Sequence, residues 1–346
     1  MRYKQAALIF AAFIAIFVAL NFIIWKMWTE DLLTDDHCDG GDMSRLGYYT
    51  CSKACRKNSN DLPVRHVSLK NFQGGNVEMV TIGDSFTNGG AGGRNAFYQD
   101  YIASINDFKV LNINRLVNQD ILTTSSFLLN NGFFDTIKPR YLLISMAERG
   151  CGDLAGSIDF ENNVSQHEMA QLKIVDYYTK RPRVSFINDG NVKFLLYGIL
   201  RHFSDHAFFN NVYVRKMREP LFSVRSGKDL LFFKAKKFFS TDEVARLNDN
   251  LNTFADRLNK KGIRLIFMPC VDKYTLYSDF IDRNPYPRSN FFEDFRPLTK
   301  RYIFIDTKAI LMEEVKKGEK DIFYADDTHW SWKAAKKLFE TVRFDR

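Results

Sequence analysis

The residues best suited to chemistry stand near opposite ends of this sequence. Ser85 lies in "VEMVTIGDSFTNGG", residues 77–90, where an apolar run breaks into Gly-Asp-Ser and a string of turn residues. A serine hydroxyl is a weak nucleophile unless a base lies within hydrogen-bond reach. The chain has six histidines, His37, His66, His167, His202, His206 and His329. His329, in "FYADDTHWSWKAA", stands out: Asp326 and Asp327 precede it by three and two residues, and a helix capped by Ser331 follows. A carboxylate that close can hold the imidazole Nδ1–H, fix the tautomer and stabilise the imidazolium formed when a serine loses its proton. Both aspartates are candidates for that role. A bare Gly-Asp-Ser is weak as a signal, since an ordinary strand end reads the same way, so the elements around it must carry the argument.

Short, nearly continuous apolar runs predict strands at 77–82, 109–114, 140–147, 263–269 and 302–306, as expected for strands covered on both faces. The clearest helix is "STDEVARLNDNLNTFADRLNKKG". Ser240 and Glu243 have capping-box spacing, Val244, Leu247, Leu251, Phe254 and Leu258 make one apolar stripe, and Gly262 supplies the stop. Strand–helix–strand alternation implies an α/β fold with a parallel sheet, right-handed crossovers and helices on both faces. Ligands in such sheets bind at the carboxyl ends of the strands. Ser85 is expected at the end of the first strand, where the next helix begins, with its own amide turned toward the open site.

The 346-residue chain begins with an apolar run, Ala6 to Trp25, broken only by Asn21. Twenty helical residues span roughly 30 Å, the thickness of the hydrocarbon layer. Arg2 and Lys4 precede it and acidic residues follow Lys26, which predicts a cytoplasmic N-terminus and an exported remainder. Trp25, Lys26, Met27 and Trp28 where a small-residue cleavage site would stand argue for an uncleaved anchor over a signal peptide. The expected organisation is an anchor at 1–28, a polar stalk or cap at 29–75 and a globular domain at 76–346, interrupted by an aromatic, basic insertion at about 152–240. The formal net charge of +8 then belongs to an exported domain, and nucleic acid is not an expected partner. The basic stretch Arg215 to Lys237 suits anionic lipid or acidic glycan, or is simply a solvated face.

Five cysteines cannot all pair internally. Cys38, Cys51 and Cys55 cluster beyond the anchor and suggest one disulfide; Cys151 and Cys270, following adjacent strands, are a second possible pair. His37 beside Cys38, and His202 and His206 around Asp205, are weak metal candidates, and no metal or cofactor is expected. Asn163-Val164-Ser165 matches a glycosylation acceptor.

The blocks "IGDSF" and "DDTHWS" resemble those of the SGNH (GDSL-type) hydrolases. With "PRYLLISMAERG" and "GIRLIFMPCVDKYTLY" they resemble, more narrowly, the AlgX/AlgJ-like branch associated with polysaccharide O-acetylation. The resemblance runs from about Val77 to Phe339 and implies a three-layer α/β/α fold, Ser85 as nucleophile, His329 as base and an aspartate as third member. Asp-x-x-His, common in SGNH enzymes, would select Asp326; the "DTHW" match favours Asp327. Alginate acetyltransferases of this branch carry Asp-x-His ahead of the serine, whereas here it follows. SGNH enzymes also place oxyanion donors after the second and third strands, where this chain offers Asn118 and Gln119, then Glu148 and Arg149. Arg149 could stabilise an oxyanion or pair with Glu148. Lys273 and Tyr277 could line an acceptor groove or be structural.

The resulting expectation is a single-pass, outward-facing serine acyltransferase, with acetyl the most fitting group and an exported or cell-surface glycan the acceptor. A membrane-bound protein would supply the acyl donor. The alternatives are an acetyl esterase with the same residues and a non-catalytic glycan-binding or assembly protein on this scaffold.

Overall fold

A computed structural model describes residues 2–33, 41–44, 52–161, 184–200, 203–206, 211–234 and 238–345. Six parallel strands form the central sheet in the order β1-β3-β2-β4-β7-β8. They are β1 Val67–Ser68, β2 Met79–Gly83, β3 Val110–Asn114, β4 Tyr141–Ala147, β7 Arg264–Cys270 and β8 Ile303–Phe304. Every residue of β2 is buried, as its unbroken apolar run predicts for a strand covered on both faces. From β2 the chain crosses to β3 on one side and then to β4 on the other. The sheet therefore changes winding direction beside β2, and the crevice this opens lies at the carboxyl end of β2.

Two rows of helices cover the sheet. In one, α2 (Tyr98–Asn106) packs on α7 (Trp332–Thr341), which packs on α6 (Thr307–Lys316). In the other, α3 (Ile121–Asn130) meets α5 (Thr241–Asn259). Helix α5 carries the full capping box of Ser240 and Glu243, and its stripe of Val244, Leu247, Leu251, Phe254 and Leu258 is wholly buried. Each interior side chain of that size contributes roughly 1.5–3 kcal/mol by leaving water. The parallel sheet flanked by helices is the SGNH-like architecture expected from the sequence.

Ahead of the sheet, α1 (Arg2–Ile24) runs on through Trp25–Thr29 into Glu30–Leu33. Tyr3–Thr29 is a 27-residue apolar helix, long enough to cross a membrane. The segment expected as stalk or cap is no simple spacer. It supplies the edge strand β1, and residues 41–44 and 52–56 are hydrogen-bonded to the loop before α7. The insertion contains α4 (Gly190–Leu200) and an antiparallel hairpin of β5 (Val212–Lys216) and β6 (Asp229–Phe233). Phe232 stacks on Tyr274 and Phe222 meets Tyr277 edge-on, which seats the hairpin against the helix that follows β7.

Cys151 and Cys270 are buried free thiols, contrary to the possible bridge. Their sulfurs turn to different carbonyls, of Ala147 and Met268. Cys55 is also free. Cys38, Cys51, His37, His167, His202 and Asn163 lie outside the described residues.

Candidate active site

After Gly83 the chain enters a tight turn, not a helix; α2 begins only at Tyr98. Asp84 ties this turn down, its Oδ1 accepting from the Phe86 amide at 3.0 Å and its Oδ2 from the Ala147 amide of β4 at 2.8 Å. The Ser85 carbonyl accepts from Asn88 and Gly90 amides at 3.2 and 2.9 Å. Below it, Asn112 donates to Asn88, Gln99 to the Thr87 carbonyl, and Tyr98 bonds Ser145. Buried networks of this kind rigidify what they support, although Gln99 Oε1 finds no partner among the described residues. Half-buried Ser85 thus stands at the carboxyl end of β2, and among the described residues its N–H meets no acceptor.

The base arrives from 244 residues away. Ser331 caps α7 by accepting from the Lys333 amide, and the residues just ahead of the cap bring His329 over β2. His329 Nε2 lies 2.7 Å from Ser85 Oγ, and its Nδ1 lies 2.6 Å from Asp327 Oδ1. Phe86 packs against the imidazole ring at 4.8 Å. Burial disfavours the imidazolium, but the Asp327 carboxylate outweighs it and raises the His329 pKa above its ordinary value. Asp327 is completely buried, yet His329 and Arg56 hold its carboxyl below the usual range.

Arg56 was not legible as a site residue. Its guanidinium, 1% exposed, reaches Asp326 at 2.9 Å and Asp327 at 3.2 Å and lies 4.3 Å over the Tyr324 ring. Asp326 spends its charge on Arg56 and on the Ser52 amide at 2.8 Å, so the two aspartates divide the work: Asp327 serves the histidine and Asp326 anchors the arginine. Asp42 is a second residue that sequence reasoning missed. It accepts from the Thr328 amide at 2.8 Å and comes within 4.0 Å of His329 Nδ1. Burial and the neighbouring Asp327 push its carboxyl up to about 6. Asp42, Asp327 and His329 also cluster as metal-type ligands, but their atoms are already engaged in this hydrogen-bonded relay.

Residues 224–342, which carry the base and both aspartates, match the family model for the SGNH hydrolase-like domain of the acetyltransferase AlgX. Over that segment the chain is similar to an SGNH hydrolase-like domain of the AlgX type. The match begins after Ser85, so the nucleophile lies outside the matched residues and is joined to them by its contact with His329. No curated protein matches the chain.

Other expected site residues fall in different places. Arg149 pairs with Asp272, not Glu148, its amide also donating to Asp272 at 3.1 Å. Its side chain is 38% exposed, on the turn that follows β4, the sheet neighbour of β2. Glu148 is buried below; burial and then Asp272 raise its carboxyl to about 7. Asn118 is exposed, in a left-handed conformation on the turn after β3, with no described contact to Ser85 or His329. Gln119 beside it uses its backbone to close that turn.

Lys273 and Tyr277 do not line a groove. Both sit on the short helix Lys273–Tyr277 and face inward, because the loop before α7 closes over them. Lys273 Nζ donates to the carbonyls of Tyr324, Ala325 and Asp327 at 2.7, 2.9 and 3.1 Å, holding the aspartate pair in place. Its burial lowers the ammonium pKa to about 7. The Tyr277 hydroxyl accepts from the Phe323 amide. His206 stacks on Tyr213, and Asp205 is engaged by Arg215 and Tyr286.

Gly90 is the closest backbone approach to the relay. A Cβ there would stand 2.6 Å from His329 Nε2 and 2.8 Å from the Ser85 carbonyl. Gly90→Ala should therefore push the imidazole off the serine. Misplacement by about an ångström costs on the order of 100-fold in rate. Turnover of an ester substrate should fall by that much, with a far smaller change in the thermal midpoint.

Proposed function

We propose that this protein is a membrane-anchored serine acyltransferase that moves an acyl group, acetyl in the first instance, onto a hydroxyl of an exported or cell-surface polysaccharide. The observation that carries this reading is the unbroken line Ser85 Oγ–His329 Nε2 at 2.7 Å and His329 Nδ1–Asp327 Oδ1 at 2.6 Å, set at the mouth of an SGNH-like sheet. The AlgX-type match over residues 224–342 supports the acetyl group.

In this mechanism Ser85 Oγ attacks the acyl carbonyl while His329 Nε2 takes its proton. Asp327 holds the Nδ1–H and stabilises the imidazolium, and Arg56 keeps Asp327 ionised. The Ser85 amide and Arg149 are the nearest candidates to stabilise the oxyanion. His329 returns the proton to the leaving group, which leaves acyl-Ser85. A sugar hydroxyl then gives its proton to His329 and takes the acyl group, and His329 passes that proton to the departing Ser85 Oγ. If water takes the sugar's place, the same residues make an esterase.

The apolar helix Tyr3–Thr29 supports a membrane anchor, and the flanking charges support a cytoplasmic start and an extracytoplasmic domain. A tethered domain meets a membrane-bound acyl donor at high effective concentration. Incubating the full chain with an activated acetyl ester and a glycan acceptor tests the reading. Acetylated sugar is the expected product; free acetate alone would make it an esterase. Failure of a serine-directed fluorophosphonate to label the protein would favour a non-catalytic glycan-binding or assembly role.

The pH profile of that assay follows from the imidazole. His329 must be neutral to accept the serine proton, and Asp327 raises its pKa. kcat/KM is expected to climb with pH, with an acid-limb midpoint above the usual imidazole value of about 6.5.

A further inference from the structure

We infer that residues 184–200 are a second membrane element, with α4 lying in the leaflet beside the outer end of the anchor helix, its exposed face against lipid. This rests on the anchor reading given above.

Helix α4 has eleven residues, about 16 Å at helical rise, too short to cross a bilayer. It is nonetheless apolar on its open side: Val192 is 66% exposed and Ile199 58%, with Leu195 and Leu196 between them and Phe186 and Ile187 just ahead. An apolar surface this continuous is uncommon on a soluble monomer.

What covers it is indicated by the helix it docks on. Along the anchor, Asn21, Trp25 and Thr29 are spaced by four and buried, while the side chains around them are mostly exposed. Asn191 at the start of α4 donates to Asn21 Oδ1 at 2.8 Å and accepts from Thr29 Oγ1 at 2.5 Å. It also donates to the Phe186 carbonyl at 2.7 Å, and Phe186 meets Phe22 edge-on at 5.9 Å.

Asn21 is the one polar residue inside the apolar run, where an unpaired amide would face hydrocarbon. Polar groups at that depth must find partners within the protein, and interhelical hydrogen bonds of this kind join membrane helices. Asn191 provides that partner, which sets the start of α4 at the outer boundary of the span. The exposed residues of α4 then continue the lipid-facing surface of the anchor. Lys193, paired with Asp189, can extend its charged end toward the interface.

The test uses the full chain in phosphatidylethanolamine–phosphatidylglycerol vesicles, with a photoreactive benzophenone amino acid replacing one residue at a time. The positions are Leu195, Ile199, Ile14 in the anchor and exposed Arg246 on α5. Lipid adducts are expected at Leu195 and Ile199 in yields comparable to Ile14, with Arg246 at background. Adducts at Ile14 but none at Leu195 or Ile199 would overturn the inference and leave the anchor intact. Protein–protein adducts at Leu195 or Ile199 would overturn it too, pointing to a second copy or another protein on this face. Absence of lipid adducts at Ile14 as well would instead bring down the anchor reading on which it rests.

Discussion

Ser85→Ala is expected to lower turnover of an activated acetyl ester by about 10⁴-fold or more and to abolish fluorophosphonate labelling. The magnitude follows from losing the only atom that can carry the acyl group in the proposed path. The fold should be indifferent. Ser85 Oγ is bonded to His329 Nε2, whereas the imidazole is held independently by Asp327, and the turn by Asp84 and the Asn88 and Gly90 amides. A half-buried hydroxyl removed from such a frame changes stability by no more than about 1 kcal/mol. Persisting label on the alanine variant would place the nucleophile elsewhere and sink the mechanism.

The second large effect is on stability. Arg56→Met keeps the approximate volume but leaves Asp326 and Asp327, both with fully buried side chains, without their cation. Removing one partner of a buried ion pair costs roughly 3–5 kcal/mol, because the charge left behind is uncompensated. The sign with pH is defined. Asp327 has a depressed carboxyl pKa in the folded protein, so it contributes stability that is present above its unfolded value and lost as pH falls through the folded one. Without Arg56 that depression shrinks. The difference between native and variant in urea melts should be largest near neutral pH and narrow as the carboxylates protonate. Arg56→Lys should fall between the two, since an ammonium keeps the charge but not the fork that spans both carboxylates. A variant as stable as the native chain at neutral pH would show that the aspartate pair does not need its cation.

How much of this was readable beforehand depended on the range of the interaction involved. The main strands were legible because a strand covered on both faces is nearly continuous in apolar residues, and β2, β4 and β7 are, with Thr81, Ser145 and the exposed Arg264 as the exceptions. The capping box of α5 is local, so Ser240 and Glu243 announced it. Edge strand β1 was invisible, since two residues in a polar stretch carry no period. For the site, the spacing of Asp327 and His329 is local and could be read, and their meeting with Ser85 followed from the winding of a parallel sheet. Lys273 and Tyr277 were placed at the correct end of β7 with a groove-lining and a structural role both open, because only the returning loop at 322–327 decides that they face inward. Arg56 had no signal of its own. Two adjacent aspartates with one histidine imply a cation nearby, but nothing in "SKACRKNS" separates this arginine from the many others.

The place Arg56 comes from has a practical consequence. Residues 41–56 precede the first strand of the main sheet run and would be trimmed from any soluble version cut where the globular part looks to begin. Such a truncation would retain Ser85, His329 and both aspartates and still fail, having discarded the guanidinium of Arg56, the Ser52 amide and the Asp42 carboxylate. A secretable form has to start at or before Gly41, and a cut between Arg56 and β1 that released the segment ahead of it would silence the protein without touching Ser85, His329 or Asp327.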